Sequence, residues 1–429
     1  MVDEKVKLSK ANVLLIIVAG LASYMDAALL VSLGVALPIW TKYLALNSWM
    51  VGLLSTMLTV AVAIGSFVVG WLSDKFGRVA VFNADIFFVA IGSFIIAIAQ
   101  NTTILIIGVV IAGLASGADL PTSLAVISER MSSKVYGRAI SSTQIFWTIG
   151  ILLSQFIGFI TANSGMGSPA ALFGWIGLVA IINWCVRVFS KRFKQIETDL
   201  VDHEHVDRAS NDQSVKKYRL GQLLRTGGLL VPMILLTVFY LFWNLPANTW
   251  GSFVNYFLVT VDGRTQAYST IVALIANIVC LLVNLIYLKV SDTKYRYQVM
   301  YLGIAVALIS FVTAGIFSDK WQVFTVVYIF YSGSTVLCGE ALYKIWSQTF
   351  YPVDARATMT GFSYGLVRVL TAAFSLVTPT LMGYSPQLLL WIMVGCTVLF
   401  GACAVIIVAV IKKTGLKDPT MKSFSREAD

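Results

Sequence analysis

The sequence predicts an all-α integral membrane protein with twelve transmembrane helices in two pseudo-symmetric six-helix bundles. Three observations support this class. Hydrophobic residues make up 58% of the 429 residues and charged residues only 12%, and the mean hydropathy is +0.82, unlike the composition of soluble domains. The apolar residues gather into long runs. One polar stretch divides these runs into two equal groups.

Twelve apolar runs are long enough to cross a bilayer, since about 20 apolar residues span its hydrocarbon core. The predicted spans are 12–39, 49–72, 79–100, 103–127, 139–162, 169–189, 229–259, 268–290, 299–317, 323–350, 358–382 and 388–411. We therefore predict an N-terminal bundle over 1–189, a cytoplasmic linker loop over 190–227, and a C-terminal bundle with a short cytoplasmic tail over 228–429.

The distribution of the 31 lysines and arginines predicts the orientation, because cations resist translocation. Turns after odd-numbered spans hold only Lys42, Arg264 and Lys320, and two further cations, Lys344 and Arg368, lie deep within spans. The other 26 fall on the opposite side with both termini, which we place in the cytoplasm of a multi-pass cell-membrane protein. The net charge of +10 then reflects topology and lipid headgroups rather than nucleic-acid binding.

Several chemical classes find no support in the sequence. There is no glycine-rich phosphate loop and no hydrolytic constellation, so we expect neither an enzyme, nor an ATP-driven pump, nor a cofactor. His203 and His205 in "DHEHVD" could chelate a metal, but two histidines in a polar loop more often have no specific role. The five cysteines lie in apolar spans without CxxC spacing, so we expect reduced packing residues and no metal site.

A short charged turn recurs along the chain. "GWLSDKFGR" at 70–78 is followed by "VSDTKYR" at 290–296. Positions 218 residues apart pair Asp74 with Asp292, Arg78 with Arg296, Arg138 with Arg356, and Asp26 with Asn244. Four pairs in one register indicate a parallel duplication of a six-helix unit.

We interpret the charged turns as a conformational latch, whose charge contacts form and break as two bundles rock. Asp74 can face a helix N-terminus or a neighbouring cation, while Gly70 and Gly77 permit a sharp reversal of the chain. The alternative is a solvated turn that follows the positive-inside rule. The predicted latch residues are Gly70, Asp74, Gly77, Arg78, Asp85, Arg138, Asp292, Arg296 and Arg356.

These features resemble the major facilitator superfamily of secondary transporters. "GWLSDKFGR" matches the superfamily signature G-x-L-x-D-x-x-G-R at every defining position. "YMDAALLVSLGVALP", "GLASGADLPTSLAVISER" and "FYPVDARATMTGFSYGLVR" are similar to its sugar and metabolite branch, and the chain resembles bacterial inositol and related polyol transporters. The resemblance implies the major facilitator fold and transport by alternating access.

The sequence departs from the sugar porters at functionally important positions. Val109 replaces an arginine of their fourth helix, so their usual Asp–Arg coupling pair cannot form. Ser132 and Tyr136 depart from the E-x-x-P-x-x-x-R-G pattern after that helix, and Lys344 takes the place of a tryptophan that packs on sugar. Facilitated diffusion without protons and a charged substrate both stay open.

Asp26 and Asp119 are the predicted proton-coupling groups. Asp26 lies near the middle of the first span with no basic residue within a turn, and a low dielectric favours the protonated form of a carboxyl group. Asp119 lies between Gly117 and Pro121, which interrupt the fourth span. The alternative for each acid is a structural hydrogen-bonding role.

Amide and aromatic side chains within the spans predict a sugar site, because they offer oriented hydrogen bonds and a stacking surface. The predicted substrate-binding residues are Gln144, Trp243, Asn244, Asn248, Trp250, Glu340, Lys344 and Arg368. Gln144 matches a sugar-contacting glutamine of the resembled branch. Glu340 and Lys344, at i and i+4, form either a self-compensated ion pair or part of the cavity.

The predicted function is import of a sugar or polyol, inositol-like, by proton symport through alternating access. Its partners are the small-molecule substrate, protons and the lipid bilayer, and we expect a monomer that binds no nucleic acid. One alternative is a proton symporter of an organic anion such as a sugar acid, held by Lys344 or Arg368. Further alternatives are a drug efflux antiporter and a transporter-like receptor.

Overall fold

The computed structural model describes residues 10–76, 78–130, 133–191, 227–290, 293, 295–351 and 353–414. These residues form helices joined by short turns, in two compact units. The first unit comprises residues 1–214 and 265–271, and the second comprises residues 215–264 and 272–429. Nearly all of the predicted linker, 190–227, lies outside the described residues.

Six long helices form the body of the first unit. They are α1 (Lys10–Tyr43), α2 (Ser48–Phe76), α3 (Arg78–Ala97), α4 (Thr102–Arg130), α5 (Ser133–Ile160) and α6 (Gly167–Phe189). Each coincides with one of the first six predicted spans, with ends that extend beyond the apolar run at several positions. The helices α1 and α5, α2 and α4, and α3 with both α4 and α6 pack against each other.

The described residues between 227 and 414 form seven helices and one π-helical turn. They are α7 (Gly227–Tyr256), which continues as π-helix over Phe257–Val261, then α8 (Gln266–Val290), α9 (Arg296–Ile316), α10 (Trp321–Cys338), α11 (Glu340–Phe350), α12 (Val353–Tyr384) and α13 (Pro386–Thr414). In the second unit α7 packs on α12 and α13, while α9 packs on α10 and α13.

The helices have the length and apolar character of membrane spans. Within the described residues, eleven are long and apolar enough to cross a bilayer, and Ile145–Ile160 is a shorter apolar helix in the predicted fifth span. Large apolar side chains also point outward, with Phe67 77% and Ile98 72% exposed, as expected where hydrocarbon replaces water. The all-helical, membrane-spanning class predicted from composition is confirmed.

Glycines bring α2 and α4 into backbone contact. A Cβ atom added at Gly117 would lie 2.0 Å from the carbonyl oxygen of Val62, and one added at Gly65 would lie 2.0 Å from that of Leu114. Ser66 Oγ spans the same contact and donates a 2.8 Å hydrogen bond to the Gly117 carbonyl. Small residues permit such close approach between membrane helices, so α4 is held firmly where it carries Ser116 and Asp119.

The predicted tenth span, 323–350, is interrupted. The helix α10 ends at Cys338 and α11 begins at Glu340, with Gly339 at φ −115° and ψ −132° between them. A Cβ atom at Gly339 would lie 2.2 Å from the Trp243 ring, so only glycine fits under that ring without displacing it. The break places Glu340 at the start of a new helix, where the helix dipole favours an acidic side chain.

Candidate functional site

The second unit contains a polar contact between α7 and α12. Thr371 Oγ1 donates a 3.1 Å hydrogen bond to Asn244 Oδ1, and Asn248 Nδ2 donates a 2.8 Å hydrogen bond to Ser375 Oγ. Asn244 and Asn248 are one helical turn apart, as are their partners, so the two bonds form successive rungs. We call these four residues the amide ladder. Pro246 lies between the two asparagines and leaves α7 without one backbone donor there.

Aromatic rings extend from the amide ladder towards α11. Tyr240 stacks on Trp243, with ring centroids 5.8 Å apart, and on Tyr343, at 4.5 Å. Tyr364 meets Tyr240 edge to face at 4.9 Å, and its hydroxyl donates a 3.2 Å hydrogen bond to Glu340 Oε1. We call Tyr240, Trp243, Tyr343 and Tyr364 the aromatic cluster.

The predicted charged substrate residues lie beside this cluster. Lys344 Nζ lies 2.8 Å from Glu340 Oε1, and the two side chains are 57% and 42% exposed. Glu340 therefore joins Lys344 to the aromatic cluster through Tyr364. Arg368 is also exposed, on α12.

The structure places the other predicted substrate residues elsewhere or leaves them undescribed. Trp250 is 1% exposed and packs on Phe257 and Phe324, at 5.4 and 5.0 Å between ring centroids. It is two residues from Asn248, so it leaves α7 in a different direction and lies among aromatic rings. The side chain of Gln144 lies outside the described residues.

Asp26 is buried in the first unit. Its side chain is 7% exposed on α1, and Ser116 Oγ on α4 donates a 3.4 Å hydrogen bond to its Oδ1. The structure thus adds a hydroxyl group from α4 as one neighbour of the Asp26 carboxyl group.

Asp119 takes part in a buried ionic cluster that includes a residue the sequence analysis did not single out. Arg187 on α6 is 0% exposed, and its Nη2 lies 2.9 Å from Asp119 Oδ1. Its Nη1 lies 3.3 Å from Asp85 Oδ1 and also donates to the carbonyl oxygen of Phe82. The guanidinium lies 3.6 Å from the centroid of the Phe82 ring. We call Asp85, Asp119 and Arg187 the buried triad.

The sequence contained a signal for Arg187. It falls inside the predicted sixth span, 169–189, two residues from the end of that span. Long basic side chains near a span end usually extend to the interface. In the structure Arg187 instead points between α3 and α4, where it contacts Asp85 and Asp119.

Two of the predicted latch residues, Asp85 and Arg296, are buried in the structure. Asp85 contacts Arg187 in the buried triad, and Arg296 is 0% exposed at the start of α9. Asp292 and Gly77 lie outside the described residues. The surroundings of Gly70 and the side chains of Asp74, Arg78, Arg138 and Arg356 also lie outside them. The latch therefore stays a prediction.

Relatives of known function extend these observations. The chain is 27% identical over 367 residues to the minor myo-inositol transporter IolF of Bacillus subtilis, covering 85% of this chain and 83% of that protein. It is 31% identical over 202 residues to the arabinose-proton symporter of Escherichia coli, covering 46% of this chain and 42% of that protein.

Solved structures with the same fold belong to transporters that are named for different substrates. A D-xylose-proton symporter matches with a TM-score of 0.72 at 14% identity, covering 95% of this chain and 98% of that one. The nucleoside transporter NupG matches with a TM-score of 0.68 at 16% identity, covering 93% and 99%. At these identities the likeness concerns the fold and does not choose a substrate.

A family model ties the sequence and structural observations together. The model described as Major Facilitator Superfamily matches residues 14–376, most of the chain. The resemblance inferred from the signature turn is therefore confirmed. The chain belongs to the Major Facilitator Superfamily and is a membrane transporter rather than an enzyme.

Proposed function

We propose that the protein imports a sugar or polyol, inositol-like and uncharged, by proton symport through alternating access. The observation that carries the choice of cargo is the amide ladder beside the aromatic cluster in the second unit. Hydroxyl-rich molecules need several oriented donors and acceptors together with an apolar face, and these two groups supply both. Asn244, Asn248 and Trp243 are the residues we assign to direct substrate contact.

The ion pair beside the aromatic cluster favours a neutral substrate. Glu340 lies 2.8 Å from Lys344, so the pair carries no net charge when both groups are ionised. A carboxylate substrate would have to compete with Glu340 for the ammonium group. A polyol hydroxyl can instead bind either member while the ion pair persists.

The names of the relatives support both parts of the proposal. One relative, aligned over 85% of this chain, is named a myo-inositol transporter, and the arabinose relative is named a proton symporter. Asp26 and Asp119 are the carboxyl groups we assign to proton coupling. Asp26 is buried on α1 and accepts a hydrogen bond from the Ser116 hydroxyl of α4, and a buried carboxyl group is the chemistry that proton coupling needs.

The cation distribution supports an orientation with both termini in the cytoplasm of the cell membrane. In that orientation the predicted latch residues lie on the cytoplasmic side, where they would hold one state of the transport cycle. We propose a monomeric working unit, because the twelve predicted spans include both six-helix halves of the resembled fold.

Uptake by purified protein in liposomes tests the proposal. We expect labelled myo-inositol to accumulate when an inward proton gradient is imposed, and we expect Asp26→Asn to abolish accumulation while leaving exchange of bound substrate. Asp319→Asn, an exposed acid between α9 and α10, is the matched control and should accumulate substrate like the wild type. Absence of myo-inositol uptake with and without the gradient would overturn the polyol assignment.

A sugar acid is the second candidate, because Arg368 is an exposed cation on the helix that carries half of the amide ladder. Replacing Lys344 or Arg368 by glutamine should abolish uptake of a sugar acid and weaken polyol uptake only a few-fold. Competition of labelled uptake by glucuronate and by myo-inositol separates the two. Drug efflux is disfavoured, since an amide ladder is a poor surface for an apolar compound.

A further inference from the structure

We propose that the buried triad of Asp85, Asp119 and Arg187 is a second proton site, in which one of the two carboxyl groups binds a single proton. The site is separate from Asp26. Its link to transport rests on the proposed proton symport, whereas the binding of the proton itself does not.

The charges of the triad do not cancel. One guanidinium faces two carboxylates, and the side chains of Arg187, Asp85 and Asp119 are 0%, 3% and 1% exposed. With every group ionised the triad itself carries a net charge of −1, and Arg187 is the one cation acting on Asp85 among the described residues. A buried charge without a partner is strongly disfavoured, and a carboxyl group can remove it by taking up a proton.

Unused hydrogen-bonding atoms indicate where the proton resides. Asp85 Oδ2 and Asp119 Oδ2 are both buried, and neither has a hydrogen-bond partner among the residues that the structure describes. A carboxylate oxygen that accepts no hydrogen bond is poorly stabilised as an anion. Protonation at one of these oxygens turns it into a donor and leaves the contacts of both Oδ1 atoms intact.

The two carboxyl groups are partnered unequally. Asp119 Oδ1 receives Arg187 Nη2 at 2.9 Å and the hydroxyl of Ser123 at 3.2 Å. Asp85 Oδ1 is farther from the guanidinium, at 3.3 Å, and its second donor is the backbone amide of Ile86. Asp119 therefore has the shorter charge-assisted contact, and Asp85 Oδ1 has the longer contact to the guanidinium.

The groups that surround Asp85 come from several helices. Within the described parts of the chain, the charged groups acting on Asp85 are Asp119 from α4 and Arg187 from α6. The helix α1 contributes Asp26, which contacts Ser116 on α4. Ser116 precedes Asp119 by about one helical turn. The helix α2 contributes Lys75, which is exposed near its end. Asp119 is thus the acid whose charge opposes ionisation of Asp85.

A polar stripe on α4 relates the new site to Asp26. Ser116, Asp119 and Ser123 follow one another at i, i+3 and i+7, so they share one face of the helix. Ser116 contacts Asp26 on α1, and Asp119 contacts Arg187 on α6. Under the proposed symport, a proton that leaves Asp26 has a second acceptor about one helical turn further along α4.

Infrared difference spectroscopy of the purified full-length protein tests proton binding without any substrate. All variants are made in an Asp26→Asn background, so that the first proposed proton site is silent. We expect a pH titration to include a protonated carboxyl C=O band that Asp85→Asn removes and that persists in an Asp262→Asn variant. Asp119→Asn should remove it as well, because the remaining acid then forms a neutral pair with Arg187. Asp319→Asn should leave it unchanged.

Removal of the cation by Arg187→Gln provides a second test of the proposal. Arg187→Gln leaves two acids without a cation, and we expect its protonated carboxyl band to double. If Arg187→Gln does not fold, the two asparagine variants, which each leave one acid paired with Arg187, still decide the question. A spectrum in which neither asparagine substitution changes the carboxyl band would overturn the proposal.

The result is independent of the proposed cargo. If myo-inositol uptake fails but the band behaves as expected, the triad still binds a proton and only the polyol assignment falls. If uptake is proton-driven but the band is unaffected by Asp85→Asn and Asp119→Asn, the symport proposal survives and the triad is only a structural ion pair.

Discussion

Two ionic clusters in this protein use the same chemistry in opposite surroundings. In the buried triad, Arg187 is 0% exposed and faces two carboxyl groups. In the second unit, Lys344 and Glu340 form a one-to-one pair whose side chains are 57% and 42% exposed. The strength of an ion pair depends on the surrounding dielectric. The buried triad therefore holds helices together, whereas the exposed pair of Lys344 and Glu340 is accessible to a ligand.

The buried triad also joins more elements than the exposed pair. Arg187 connects α6 to α3 and α4, over separations of 102 and 68 residues along the chain. Glu340 and Lys344 lie on one helix, four residues apart. Loss of the first cation should disturb the packing of three helices, whereas loss of the second should be felt only locally.

The largest expected effect is that of Arg187→Gln. Removing one partner of a buried ion pair leaves an uncompensated group and costs about 3 to 5 kcal/mol. We expect a large drop in the thermal unfolding midpoint in detergent, followed by the fluorescence of the tryptophans. A midpoint close to that of the wild type would mean that the triad contributes little to the packing of α3, α4 and α6.

Lys344→Gln provides the matched substitution at the exposed pair, and we expect a much smaller effect. Exposed ion pairs contribute about 0 to 1 kcal/mol, so the unfolding midpoint should stay near the wild-type value. The Michaelis constant for the transported polyol should rise a few-fold, because Glu340 then lacks its cation. If Lys344→Gln destabilised the protein as much as Arg187→Gln, the distinction between the two clusters would be lost.

The smallest expected effect concerns Asp262, just after the π-helical turn. Burial raises the pKa of Asp262 from its ordinary 3.8 to about 6, with Arg264 acting in the opposite direction. Because the folded protein then binds this proton more tightly than the unfolded chain, stability is greatest below the lower value and falls as pH rises through about 6.

Asp262→Asn should remove this pH dependence and leave a flatter profile of the unfolding midpoint. Asp319→Asn, which changes an exposed acid, should keep the wild-type profile. An unchanged profile in Asp262→Asn would show that another group is responsible.

Sequence reasoning was most successful where the physical rule is local. The hydropathy of each run predicted the membrane-spanning helices, because a helix in hydrocarbon satisfies its backbone within one segment. It was less successful at the tenth span, where the contact of Gly339 with Trp243 divides α10 from α11. That contact joins residues almost a hundred positions apart, so no periodicity within the span could indicate it.

The candidate sites show the same limit. Asn244, Asn248, Glu340 and Lys344 were identified from residue type and spacing, but their partners Thr371, Ser375 and Tyr364 lie on another helix. Arg187 was missed because a cation near the end of a span is usually drawn to the interface. Only its position between α3 and α4 showed that it faces two acids.

The sequence by itself determined that this chain is a helical membrane transporter with a repeated charged turn, because composition, run length and the signature motif act over short stretches. The tertiary structure decided which buried charges meet, how many carboxyl groups share one guanidinium, and where a helix breaks. These outcomes depend on contacts between helices far apart in the chain, and the cost of burying an unpaired charge makes such contacts decisive.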